Sequence, residues 1–148
     1  MTSYTFGQGR THLLRLGHGS DVYDEITGYA RKNFVRAATV SCLGDVQRAS
    51  LRYYDQDRQA YLDHTIEQHL AVVAGVGNVS LVEGDPFLHL HMVLADAEGA
   101  TLGGHVNKGT TVFALEVTIT ELEGDPPVRS HDDCTGLSLW GGTLEGEC

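Results

Sequence analysis

Two periodicities divide the chain. From Val22 onward apolar residues recur at helical spacing (Val22, Ile26, Tyr29/Ala30, Phe34), which predicts a helix with one apolar face. Ser20 or Asp21 can cap its start, Asp21, Asp24 and Glu25 fill its first turn, and Arg31 and Lys32 fill its last. Elsewhere the pattern alternates, or stays apolar over a short run, as strands do. Strands are predicted at 12–16, 37–43, 46–54, 69–82, 87–95, 101–106 and 111–122, with 59–64 pairing back. Arg48, Ser50, Arg52 and Tyr54 form the polar side of one strand, and Phe113, Leu115, Val117 and Ile119 form one face of another. Gly44-Asp45, Asp55-Gln56-Asp57, Glu83-Gly84-Asp85-Pro86 and Asp125-Pro126-Pro127 read as turns or stops. Gly75 and Gly77 mark a bulge or a close backbone approach inside a β-rich run. The predicted class is α+β: a mostly antiparallel β-sheet with one main helix and short additional helical segments. A compact single domain is expected over 1–140, followed by a loose tail at 141–148.

Composition fits that picture. The chain has 148 residues, 41% hydrophobic and 20% charged, long enough for one domain with a real core. No apolar run reaches the length of a membrane span, and the N-terminal MTSYTFGQGR lacks an apolar signal core. The net charge is −10, with the Lys and Arg concentrated before residue 59. Such a surface repels nucleic acid and anionic membranes at long range. The cysteines are Cys42, Cys134 and Cys148, an odd number without CxxC spacing. This predicts a reduced, cytoplasmic protein with no disulfide frame and a buried Cys42.

The strongest chemical signal is His89-Leu90-His91, with His105 downstream in LGGHV. Residues i and i+2 of a strand share a face, so His89 and His91 project together while Leu88, Leu90, Met92 and Leu94 turn to the core. A three-residue loop, Ala97-Glu98-Gly99, pairs Asp96 with Ala100 and, at constant register, places His91 opposite His105. Three imidazoles would then converge as a site for zinc or another divalent transition metal, with an open coordination position. A two-residue loop, or a bulge at Gly103-Gly104, would turn His105 away. Glu116, on the polar face of its strand, is a candidate hydrogen-bond partner for a metal-bound histidine or a pocket residue of this site, or a surface carboxylate. No catalytic residue is assigned. His12, His18, His64 and His69 have no ligand spacing, and Asp132 and Asp133 beside His131 read as a turn or cap.

Several segments in order resemble the PPC (plants and prokaryotes conserved) domain, which also occurs in AT-hook nuclear proteins. They are Gly19-Ser20-Asp21, LGDVQRASL at 43–51, GVGNVS at 75–80, DPFLHLHMVLADAEG at 85–99, GGHV at 103–106 and ALEVTITEL at 114–122. HLH followed by GGH is the specific part. The resemblance implies a standalone prokaryotic type, a homotrimer, and a metal at the residues matching His89, His91 and His105. It also carries a DNA-binding family label. This chain has no AT-hook, and its one basic cluster (Arg31, Lys32, Arg36, Arg48, Arg52) reads as a solvated face. An acidic residue expected near the start of the strand before GNVS is absent, with Ala71 there and Glu67 earlier. The function expected is a metal-binding module with a regulatory or small-molecule-binding role. The alternatives are a DNA-associated regulator and a cupin-like metal enzyme, since Gly84, His89, His91, Asp96 and Gly103 imitate a first cupin motif. No second cupin motif follows.

Overall fold

In a computed structural model of the chain, residues 1–144 are described; of the tail expected at 141–148, residues 145–148 lie outside that range. The elements run β1 (Gly7–Arg15), α1 (Val22–Lys32), β2 (Ala38–Asp55), β3 (Ala60–Ile66), β4 (Leu70–Val82), β5 (Asp85–Ala95), β6 (Thr101–Val106), β7 (Thr111–Glu123), β8 (Arg129–His131) and β9 (Ser138–Trp140). Strands of the main sheet follow the order β1-β7-β2-β4-β5-β6, and β3 pairs with β2. Each strand pairing among them is antiparallel. The second half of β2 also pairs with β6, Leu51 to Val106 and Arg52 to His105, so β2, β4, β5 and β6 form a closed ring. Closure removes the free edge β6 would otherwise present.

The helix starts where its cap predicts. The Asp21 carboxylate accepts from the Asp24 N–H at 2.9 Å, and Val22, Ile26 and Ala30 are buried against the sheet. Phe34 departs from the expected face. The helix ends at Lys32, Phe34 takes a left-handed backbone (φ 58), and its ring is 86% exposed. Among the described residues α1 is the only helix, and none of the short additional helical segments expected from the sequence is found.

Two further readings of pattern are corrected. Gly44-Asp45 is not a turn: β2 runs through it unbroken, with register shifts at Cys42/Gly44 and at Val46/Arg48. The second shift lets both Val46 and Ala49 face inward although they are three residues apart. A further shift, at Asp45/Val46, passes from Ala114 to Val112, so Val112 enters the core and Phe113 is left half exposed, while Leu115, Val117 and Ile119 stay buried as expected. Cys42 is buried, which raises its thiol pKa to about 12. Cys134 is disulfide-bonded, against the expectation of no disulfide. No described helix is long and apolar enough to cross a membrane.

Leu88, Leu90, Met92 and Leu94 of β5 join one core with residues of α1, β2, β4, β6 and β7. The rigid β5 therefore presents its odd-numbered side chains outward in fixed positions. Gly77 allows β4 to lie close beside it, because a Cβ there would collide with the carbonyl oxygen of His89. Gly75 is constrained likewise by Cys42.

Candidate metal centre

The hairpin from β5 to β6 has the predicted loop. Asp96 N–H donates to Ala100 O at 3.1 Å, Gly99 takes φ 80, and the Asp96 carboxylate accepts from the N–H groups of Glu98 (3.1 Å) and Ala100 (2.8 Å). The ladder then runs Ala95 to Thr101, Leu94 to Leu102, Val93 to Gly103, Met92 to Gly104 and His91 to His105. Gly103-Gly104 carries no bulge. Asp96, which a cupin-like site would use as a ligand, is spent on holding this turn.

The result is a cluster. His89, His91 and His105 each offer a ring nitrogen, and these atoms lie within 4.8 Å of one another. Ring centroids are 5.1 Å apart for His89–His91 and His89–His105, and 5.4 Å for His91–His105. Nε2 of His89 and Nε2 of His91 are 3.1 Å apart. His89 and His105 are partly buried and His91 is exposed. Burial, then the charge of Arg129 and the other two rings, lowers the His89 pKa to about 4. Burial, then His91, Arg52 and Arg129, lowers His105 to about 4 as well. Both rings are therefore neutral lone-pair donors at pH 7, the state a metal ligand needs. The donor set fits zinc or another borderline divalent ion and leaves a fourth position.

The cluster forms one wall of a cavity of about 450 Å³. β6 and β2 bring Arg52 beside His105, and β3 brings Tyr61, whose ring centroid is 6.0 Å from that of His105. The 132–139 segment roofs the space with Leu137, Ser138 and Leu139. It is tied to the β2–β3 hairpin by Tyr54 Oη–H donating to Thr135 O (2.5 Å) and Gln59 Nε2–H donating to Cys134 O (2.9 Å). Asp132 caps the loop by accepting from Thr135, as the turn reading expected.

Arg129 is the residue that sequence reasoning missed. After Pro127 the chain lies alongside the end of β4, with Leu81 N–H donating to Pro127 O at 3.0 Å, and delivers Arg129 over β4 and β5. Its guanidinium donates to Ser80 Oγ (2.8 Å), Ser138 O (2.9 Å) and Asn78 Oδ1 (3.2 Å), and reaches His89 Nδ1 at 3.3 Å. It also stacks 5.3 Å from the Phe87 ring centroid and 5.4 Å from that of Trp140. In the sequence it is one of two cations after residue 58, with no local pattern to mark it.

Glu116 is not brought to the cluster. It lies exposed on β7, opposite Arg15 and Leu43, with β2 and β4 between it and β5. Three residues of the basic cluster form ion pairs: Arg31 with Asp85 (3.4 Å), Arg48 with Glu67 (2.6 Å) and Arg52 with Asp63 (2.7 Å). His12, which has no ligand spacing in the sequence, bridges Glu121 (2.6 Å) and the Tyr29 hydroxyl (2.9 Å), tying β1 to β7 and α1.

A family model of the Plants and Prokaryotes Conserved (PCC) domain matches residues 4–123. The metal-containing protein AF0104 from Archaeoglobus fulgidus superposes with a TM-score of 0.91 at 36% identity, over 95% of this chain and 99% of that one. A plant- and prokaryote-conserved (PPC) protein from Pyrococcus horikoshii superposes with a TM-score of 0.89 at 29% identity, over 95% and 96%. The bifunctional protein GlmU of Synechococcus sp. (strain JA-3-3Ab) is 33% identical over 132 residues, 88% of this chain and 20% of that protein. The chain thus spans about a fifth of the length of the curated relatives it matches.

Proposed function

The chain belongs to the Plants and Prokaryotes Conserved domain family, and from that premise we propose that it is a homotrimeric metal-binding module with a small-ligand or regulatory role. His89, His91 and His105 hold the ion, zinc or another divalent transition metal. The observation that carries this reading is the convergence of three ligand nitrogens within 4.8 Å on one rigid hairpin. When bound, the metal supplies a Lewis-acid centre facing the cavity. The protein's own part is to fix the three rings, keep His89 and His105 unprotonated at pH 7, and enclose a pocket beside them. The metal-containing relative at 36% identity supports the same reading. The trimer rests on the family resemblance and on apolar side chains exposed across the outer sheet face. A DNA-associated role is the weaker reading for a chain of net charge −10 whose Arg31, Arg48 and Arg52 already pair with carboxylates.

Metal analysis of untagged protein tests the proposal. About one zinc per chain is expected, with most of it lost in His89→Ala and in His105→Ala. Equal zinc content in wild type and both variants would overturn it.

A further inference from the structure

The cavity beside the histidines carries positive charge that no carboxylate answers from within. Its lining includes Arg52 and Arg129 and no aspartate or glutamate. Arg52 is neutralised by Asp63, whose two oxygens lie 2.7 and 3.4 Å away. Arg129 has no carboxylate partner among the described residues: its acceptors are a hydroxyl, a peptide carbonyl, a side-chain amide and an imidazole. It is only 8% exposed. A guanidinium keeps its proton, so among the described residues this is a buried cation without a counter-charge, an arrangement that costs stability unless an anion completes it. Its four recorded contacts leave one of five N–H groups over. A divalent ion on the nearby histidines would deepen the positive potential.

The remaining walls select the body of the ligand. Tyr54, Tyr61, Phe87, Leu137 and Leu139 surround the space with rings and aliphatic groups. Its volume of about 450 Å³ suits a small molecule. The roof formed by 132–139 leaves a concave pocket rather than a surface for a polymer backbone.

We propose that this cavity binds a small organic carboxylate with an apolar or aromatic body, whose negative charge pairs with Arg129. The inference deepens the small-ligand part of the function proposed above, and rests on that part but not on the metal. Arg129 gives the carboxylate its counter-charge, and its contacts with Ser80, Asn78 and Ser138 and the neighbouring Phe87 and Trp140 rings fix the guanidinium in place, so that the pairing needs little reordering.

The test uses the full chain, both metal-free and zinc-loaded, titrated by calorimetry with benzoate and with benzamide. These probes share a ring and differ in charge. Benzoate is expected to bind at least about tenfold more tightly than benzamide, and the ratio should fall to about one in Arg129→Met. Arg129→Lys, which keeps the charge in place, should retain part of the preference. Equal binding of the two probes overturns the proposal, as does no saturable benzoate binding. A preference that needs zinc and survives Arg129→Met also overturns it, since the carboxylate would then sit on the metal. The wild-type comparison stands if Arg129→Met fails to fold. Zinc uptake is measured in parallel: benzoate preference without zinc uptake sinks the metal reading alone, and zinc uptake without preference sinks this one alone.

Discussion

Nη2 of Arg129 lies 3.3 Å from Nδ1 of His89, and this contact dictates which nitrogen of His89 carries its proton. A guanidinium only donates, so Nδ1 accepts and the neutral ring keeps its hydrogen on Nε2. That atom is 3.1 Å from Nε2 of His91, so the proton lies between the two rings. A metal ligated through Nε2 of His89 needs that lone pair, with the proton moved to Nδ1 and the Arg129 contact opened.

Arg129 and a metal ion therefore compete for His89. Removing the guanidinium in Arg129→Met should raise zinc affinity, by roughly three- to tenfold from the lost neighbouring charge. Long-range proton–nitrogen NMR should place the His89 proton on Nε2 in the metal-free wild type and lose that preference in the variant. Weaker zinc binding by a folded Arg129→Met would mean that Arg129 supports the ligand set instead.

Burial of two histidines predicts an acid sensitivity of the metal-free protein. In the unfolded chain both rings protonate near the ordinary 6.5, whereas the fold holds His89 and His105 at about 4. Between those pH values the unfolded chain binds more protons, so stability is intact above the higher value and declines as pH falls toward the lower. Urea unfolding midpoints should drop from about pH 6.5 to about pH 4, and drop less in the double variant His89→Gln/His105→Gln. Identical pH profiles for the two proteins would contradict the burial of these rings.

Close approach at Gly77 gives a third test. A methyl group there meets the carbonyl of His89 and the Cα of Leu90, both backbone, so no side chain can swing aside. Gly77→Ala should cost about 1–3 kcal/mol of stability by urea unfolding and weaken zinc binding, because β5 must shift under His89 and His91. Gly28→Ala is the control, since nothing lies within 4 Å of a Cβ there. Equal midpoints for the two variants would remove the argument.

The three-histidine cluster is legible in the sequence because it depends on local rules. Strand alternation faces His89 and His91 the same way, and one short loop fixes His105 opposite His91. Arg129 was not readable, because its place depends on the chain after Pro127 docking against β4, a long-range contact with no periodic trace. Phe34 and Phe113 were misplaced for a related reason. A left-handed residue after α1 and an irregular register in β7 each break a periodicity that the spacing of the apolar residues continues. Gly75 and Gly77 were legible as points of close approach, but not which strand approached. Gly44 reads as a turn in the sequence because a glycine at positive φ in a bulge looks there like one in a loop.

The outer face of the sheet gives the last prediction. Leu43 is 58% exposed, Val73 59%, Val76 68% and Val93 44%, on β2, β4 and β5. Single exposed apolar residues need no explanation, but several on neighbouring strands of one sheet are what an association surface looks like. Val76 sits opposite His91 in the ladder, so the face runs up to the candidate metal centre. If this face joins three copies, sedimentation equilibrium of the wild type should give three times the chain mass. Leu43→Glu combined with Val76→Glu should give a single chain with an unchanged far-ultraviolet spectrum, because closure would bring like charges together in an apolar contact. A monomeric wild type would leave the face unexplained and the trimer without support; a trimeric double variant would move the interface elsewhere on the molecule.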